Sequence, residues 1–154
     1  MDKRQFIRRR QLLSALAVAP LALLLPGAAH GATRVLVHKL ASCGCCSLWV
    51  EHLSAAGFEV TTRSVNDLDP LRARLGVPKD LASCHTAIVD RYAIEGHVPA
   101  ADIQRLLRER PDIAGLAVPG MVLGSPGMEG ARRDPYEVLA FERNGATTVY
   151  ARYR

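Results

Sequence analysis

The sequence predicts an α/β domain, a mixed sheet flanked by helices with a C-terminal β-hairpin extension. Three observations carry this. Short β-branched apolar runs alternate with helical patterns through the first two-thirds of the exported part. A cysteine group stands where the first strand hands over to the first helix, and an Asn144-Gly145 turn joins two alternating runs near the end of the chain. The composition agrees: of 154 residues, 49% are apolar, 23% charged and 5% aromatic, which excludes disorder and collagen-like repeats.

Residues 1–32 read as a signal peptide. Residues 3–10 are basic, Leu12 to Leu25 are apolar apart from Ser14 and Pro20, and Pro26-Gly27-Ala28-Ala29-His30-Gly31-Ala32 offers small residues for cleavage after Ala29, Gly31 or Ala32. The apolar run is too short for a membrane span, which needs about 20 residues. Arg9-Arg10-Gln11-Leu12-Leu13 resembles a twin-arginine signal, and an arginine-rich secretory signal is the alternative. Either route leads to the bacterial periplasm, with no stable membrane insertion after cleavage. The leader also explains the charge. Of the chain's formal +5, Lys3, Arg4, Arg8, Arg9 and Arg10 against Asp2 supply +4, so residues 33–154 carry only +1. A nearly neutral domain has no electrostatic footprint for nucleic acid. At about 120 residues it is one domain with a core of its own.

Within residues 33–154, Arg34 to Leu40 form strand one, followed by a turn at Ala41-Ser42-Cys43-Gly44. From Cys45 the apolar positions Cys46, Trp49, Val50, Leu53 and Ala56 follow helical spacing, with Ser42 as N-cap and Gly57 as the stop. Phe58 to Val65 alternate as strand two. Asp69-Pro70 opens a second helix, with Asp69 as cap, ending near Gly76. Thr86 to Asp90 and Tyr92 to Glu95 suit a hairpin. Pro99 starts a third helix with Ile103, Leu106 and Leu107 inward, and Pro111 stops it. A Pro/Gly-rich loop runs from Gly115 to Gly130, before the terminal hairpin of residues 136–142 and 147–152. A β-α-β-α-β-β-α order with a cysteine pair at the first helix start is that of a thioredoxin-like fold.

Cys43-Gly44-Cys45-Cys46 contains both a CxxC pair and a CxC pair at a helix N-terminus, where the dipole and free N–H groups favour thiolate. Dithiol exchange needs two cysteines, whereas a thiolate cluster suits Cu(I), Zn(II) or Fe–S chemistry. Cys84, beside His85 at the entry to strand three, is placed to approach the same helix start. Two readings stay open beside a metal site of Cys43, Cys45, Cys46 and Cys84. One is redox exchange by Cys43 and Cys46; the other is a pair of structural disulfides. His97 is a further candidate ligand, with a turn or cap role as its alternative. Met121 and Met128, in the glycine-rich loop, offer soft thioethers or simply pack that loop. His38 and His52 are expected to be structural or solvated.

Cys43-Gly44-Cys45-Cys46, Ser83-Cys84-His85-Thr86, Glu95-Gly96-His97-Val98-Pro99, Gly115 to Met121 and Gly124 to Glu129 together resemble the exported CopG-like family. That family was formerly a domain of unknown function and occurs with copper-resistance genes; the likeness spans nearly all of residues 34–153. It implies a thioredoxin-like fold and periplasmic copper binding. The copper would be Cu(I), several ions bridged by the thiolates of Cys43, Cys45, Cys46 and Cys84, serving copper tolerance alongside other periplasmic copper-handling proteins. An oxidoreductase, acting on disulfides or cycling Cu(I) and Cu(II), is the alternative. One departure stands at Val122, often proline in the family, which leaves the Met121 loop less rigid.

Overall fold

A computed structural model describes residues 31–154; the leader through His30, with its export motif, lies outside the described residues. Among the described residues, seven strands and three helices follow the order β1 (Arg34–Leu40), α1 (Gly44–Ala55), β2 (Glu59–Val65), α2 (Asp69–Leu75), β3 (His85–Val89), β4 (Tyr92–Glu95), α3 (Ala100–Glu109), β5 (Gly115–Ala117), β6 (Tyr136–Phe141) and β7 (Thr147–Tyr153). A short 3-10 turn, Lys79–Leu81, precedes β3. All strands join one mixed sheet in the order β2-β1-β3-β4-β5-β6-β7. β1 and β2 run parallel, as the crossover through α1 requires, and β3 is antiparallel to both β1 and β4.

Strand alternation sorts the sheet into two faces. Val35, Val37, Ala87, Val89, Tyr92 and Ile94 meet Trp49 and Leu53 of α1 and Ile103 and Leu106 of α3 in the main core. Ala93, Ala117 and Phe141 meet Val77 and Leu81 in a smaller cluster on the other face. Each large side chain fully buried in this way contributes about 1.5–3 kcal/mol.

Several local expectations need correction. α1 begins at Gly44 and its N-cap is Cys43, with no side chain capping it. α2 is preceded by Leu68 at the cap position, and Asp67 rather than Asp69 supplies the carboxylate that accepts the Asp69 N–H, at 2.9 Å. Pro99 sits at the cap of α3 instead of inside it. Leu107 is only half-buried. The loop expected from Gly115 contains β5, which pairs in parallel with β4 and antiparallel with β6. Three residues show too little period to announce a strand, yet β5 is what fuses the terminal hairpin to the main sheet.

Candidate metal centre

The site lies at the C-terminal end of β1. The chain turns there through a hydrogen bond from the Cys43 N–H to the Leu40 carbonyl, 3.1 Å, and enters α1 at Gly44. The first-turn N–H groups of an uncapped helix are free to favour anionic sulfur beside them. Cys46, one turn into α1, is fully buried; Cys43 and Cys45 are half-buried. Cys43 and Cys46 form a disulfide across 5.5 Å between their Cα atoms, and Cys45 and Cys84 are free thiols. Two structural disulfides are therefore not present. Cys45 Sγ stands 3.5 Å from Cys43 Sγ, and Cys46 Sγ stands 3.6 Å from the Cys84 carbonyl oxygen. The sulfurs of Cys43, Cys45, Cys46 and Cys84 all lie within 4.8 Å of one another.

Cys84 belongs to a second group as well, with His85 and His97. Its Sγ is 3.1 Å from His97 Nε2 and 3.3 Å from His85 Nδ1. His97 Nδ1 lies 2.7 Å from the Pro126 carbonyl, which can only accept, so Nδ1 carries the proton and Nε2 turns its lone pair to Cys84. Burial, opposed by the Pro126 carbonyl and Glu129, keeps the His97 pKa below its ordinary value. His85 is fully buried, its ring 4.3 Å from that of Trp49, and its Nε2 has no hydrogen-bond partner. Burial, with a smaller push from His97, brings its pKa down to about 3. Burial and then the neighbouring Cys45 push the Cys84 thiol up to about 12. Without a cation, Cys84 is a thiol between two neutral imidazoles.

The long loop reaches this place twice. Gly120, beside Met121, pairs with Ser83, beside Cys84, and its carbonyl accepts the Ser83 hydroxyl. Gly127, beside Met128, packs so closely on α1 that a Cβ there would stand 2.9 Å from the Cys45 carbonyl oxygen and 2.7 Å from the Trp49 nitrogen. Met121 itself is 60% exposed and Met128 half-buried. His52 is structural: its Nε2 accepts the Ala100 N–H at the start of α3, 3.0 Å away. His38 lies on the other face of the sheet, opposite Thr86, with Nδ1 unpartnered.

The donors brought together are thiols and imidazoles with no carboxylate among them, a soft set that suits Cu(I) or Zn(II) over Mg(II) or Ca(II). In the sequence, His85 stands out only as a neighbour of Cys84. The signal was the hairpin itself: pairs Ala87 with Ile94 and Thr86 with Glu95, continued by two steps, set Cys84 opposite His97.

Residues 81–128 match the family described as protein of unknown function, DUF411. Two solved structures resemble the whole domain. Both are of copper resistance protein copG, form 2 and form 1, and each is 50% identical to this chain. The first covers 80% of this chain and 99% of its own, with a TM-score of 0.76; the second covers 79% and 98%, with a TM-score of 0.75. No curated protein sequence matches the chain.

Proposed function

The chain belongs to the family of copper resistance protein copG, and from that premise we propose that it binds copper as Cu(I) through the thiolates of Cys43, Cys45, Cys46 and Cys84, in the periplasm, in the service of copper tolerance. The observation that carries the reading is the convergence of four sulfurs from two chain segments within 4.8 Å. Once a dithiol reductant has supplied two electrons and two protons to the Cys43–Cys46 disulfide, thiolates at these positions would repel one another unless cations lay between them, and bridging sulfurs hold several soft ions at once. The lone pair of His97 Nε2 is aimed at the same place and makes His97 a further donor. Met121 and Met128 are candidates to close over it from the loop.

The scaffold of this reading is a thioredoxin-like core. The order β2-β1-β3-β4, with β1 and β2 parallel and β3 reversed, supports it, and β5 to β7 form its extension. Residues 1–32 are proposed as the cleaved export leader. The disulfide between Cys43 and Cys46 favours a second reading, an oxidoreductase. Its formation removes two protons and two electrons from the dithiol, electrons that two Cu(II) ions or an incoming disulfide would accept. Copper and zinc content per chain after anaerobic, reducing purification tests the main reading. Copper well above zinc in the wild type, and its loss in Cys43→Ser or Cys46→Ser, is the expected result. Full copper content in both variants would show that the cluster is misassigned.

A further inference from the structure

Behind the sulfurs, on the opposite face of the sheet, lies a buried charged network. Glu95, the last residue of β4, is fully buried, and so is Thr86 beside it. A carboxylate is tolerated there only when its oxygens are fully partnered, and these are. Oε1 accepts the Ser83 N–H at 2.7 Å and the Arg72 Nε–H at 2.9 Å, while Oε2 accepts the Thr86 hydroxyl at 2.6 Å. Arg72, largely buried on α2, extends a second nitrogen to the Ser83 carbonyl and a third to Asp69, 3.1 Å away. Burial pushes the Glu95 pKa up, and the Thr86, Ser83 and Arg72 contacts pull it back.

The partners of this network bracket one residue pair. Ser83 is held at its N–H by Glu95 and at its carbonyl by Arg72; Thr86 is held at its hydroxyl by the same carboxylate. Between them are Cys84 and His85. His85 faces the main core, its ring 4.3 Å from that of Trp49, and Cys84 touches both His85 and His97. With both ends of the four-residue segment tied to one buried anion, the two residues between have no freedom to withdraw from the α1 side. A neutral apolar contact would have filled the same space without direction; hydrogen bonds to a backbone N–H and a backbone carbonyl set a rotation and a height.

We propose that Glu95, together with Arg72, is a positioning residue for Cys84: a buried ion pair on one face of the sheet that sets where the thiol stands against Cys45, Cys46 and His97 on the other. The proposal rests on the reading that Cys84 is a copper ligand for its purpose, and on geometry alone for its existence.

Iodoacetamide labelling of the reduced, metal-free protein, followed cysteine by cysteine by mass spectrometry, tests it. Cys46, fully buried in α1, is the internal control, because general loosening would expose it too. In Glu95→Ala the labelling rate of Cys84 is expected to rise about tenfold or more while that of Cys46 stays within about twofold. Glu95→Gln retains an amide oxygen for Ser83 and a nitrogen toward Thr86, and is expected to stay within about threefold of wild type at Cys84. Should Glu95→Ala not fold, Arg72→Leu, which frees the Ser83 carbonyl, is expected to give the same selective rise. An unchanged Cys84 rate, a parallel rise at Cys46, or a glutamine variant as fast as the alanine variant would overturn the positioning role. Competition for Cu(I) against a bicinchoninate chelator separates the two claims. A wild type that takes no Cu(I) but shows the selective labelling ends the copper reading and leaves the positioning role standing. A wild type that takes Cu(I) with unchanged labelling in the variants ends the positioning role alone.

Discussion

Cys84 Sγ and His97 Nε2 face each other at 3.1 Å across the mouth of the β3–β4 hairpin, and the far side of the same imidazole is held by the Pro126 carbonyl at 2.7 Å. One ring therefore ties the hairpin, the sulfur cluster and the glycine-rich loop together. A ligand whose second nitrogen is hydrogen-bonded to a backbone carbonyl has its tautomer and orientation set before any metal arrives.

Replacing His97 by phenylalanine fills much of the same space but removes both hydrogen bonds. Cu(I) affinity, measured by chelator competition, is expected to fall about 10- to 100-fold. Urea unfolding of the metal-free protein should show a loss of about 1–3 kcal/mol, because the Pro126 carbonyl is left without its donor. Unaltered Cu(I) affinity would remove His97 from the donor set.

Gly127 and Gly120 both have positive φ, +83° and +69°, but only Gly127 is pressed against the helix, since nothing stands within 4 Å of a Cβ at Gly120. Gly120→Ala should cost only the conformational penalty, about 1–2 kcal/mol. Gly127→Ala adds a clash with the backbone of Cys45 and Trp49, so its loss should be clearly larger and should alter the fluorescence of Trp49. Equal unfolding midpoints for the two variants would contradict this packing.

His52 accepts the Ala100 N–H and is kept below its ordinary pKa by burial, with Glu129 opposing. Because its folded pKa lies below the unfolded value of about 6.5, acidification protonates the unfolded chain first. Its contribution is complete above that pH and declines as pH falls toward the folded pKa. The metal-free protein should lose thermal stability as pH falls from about 7 through the unfolded histidine value of about 6.5. His52→Gln, with an acceptor but no proton site, should show a shallower decline. Identical slopes would mean that His52 is already exposed to protonation in the folded state.

The number of sulfurs separates metal binding from disulfide exchange. A dithiol reductase needs Cys43 and Cys46, so Cys45→Ser and Cys84→Ser should leave insulin reduction intact if exchange is the activity. Thiolates that bridge Cu(I) act together, and either substitution should then lower the copper bound per chain and weaken copper tolerance in cells. The second pattern is expected. Vigorous exchange surviving both substitutions, with copper content unchanged, would favour the oxidoreductase.

Much of this was legible in the residues. The β-branched run of β1, the Gly57 and Gly76 stops and the Asn144-Gly145 turn are local signals, and local signals survive folding. Cys43, Cys45 and Cys46 announce themselves because they share one helix start. His85 was harder, since an imidazole after a cysteine is ordinary until the strand pleat shows that it faces Trp49. Glu95 and Arg72 lie 23 residues apart on different elements and meet only through the sheet. At the end of an apolar hairpin a glutamate reads as solvent-facing. No periodicity marks a charge that folding buries.

The turn between β3 and β4 is two residues long, Asp90 and Arg91, with Asp90 at φ +51°. Strand faces alternate with every residue, so that length decides which chemistry meets which. One residue added to the turn, with pairing to β3 kept, would rotate β4 by one pleat. Glu95 would then leave the Ser83 N–H and the Thr86 hydroxyl, and Ile94 would take its place beside the guanidinium of Arg72. Arg72 would keep only the exposed Asp69 as its counter-charge, and the segment that carries Cys84 would lose the anion that holds both its ends. The setting of the Cys84 segment is thus written in a count of turn residues as much as in the residues that flank it.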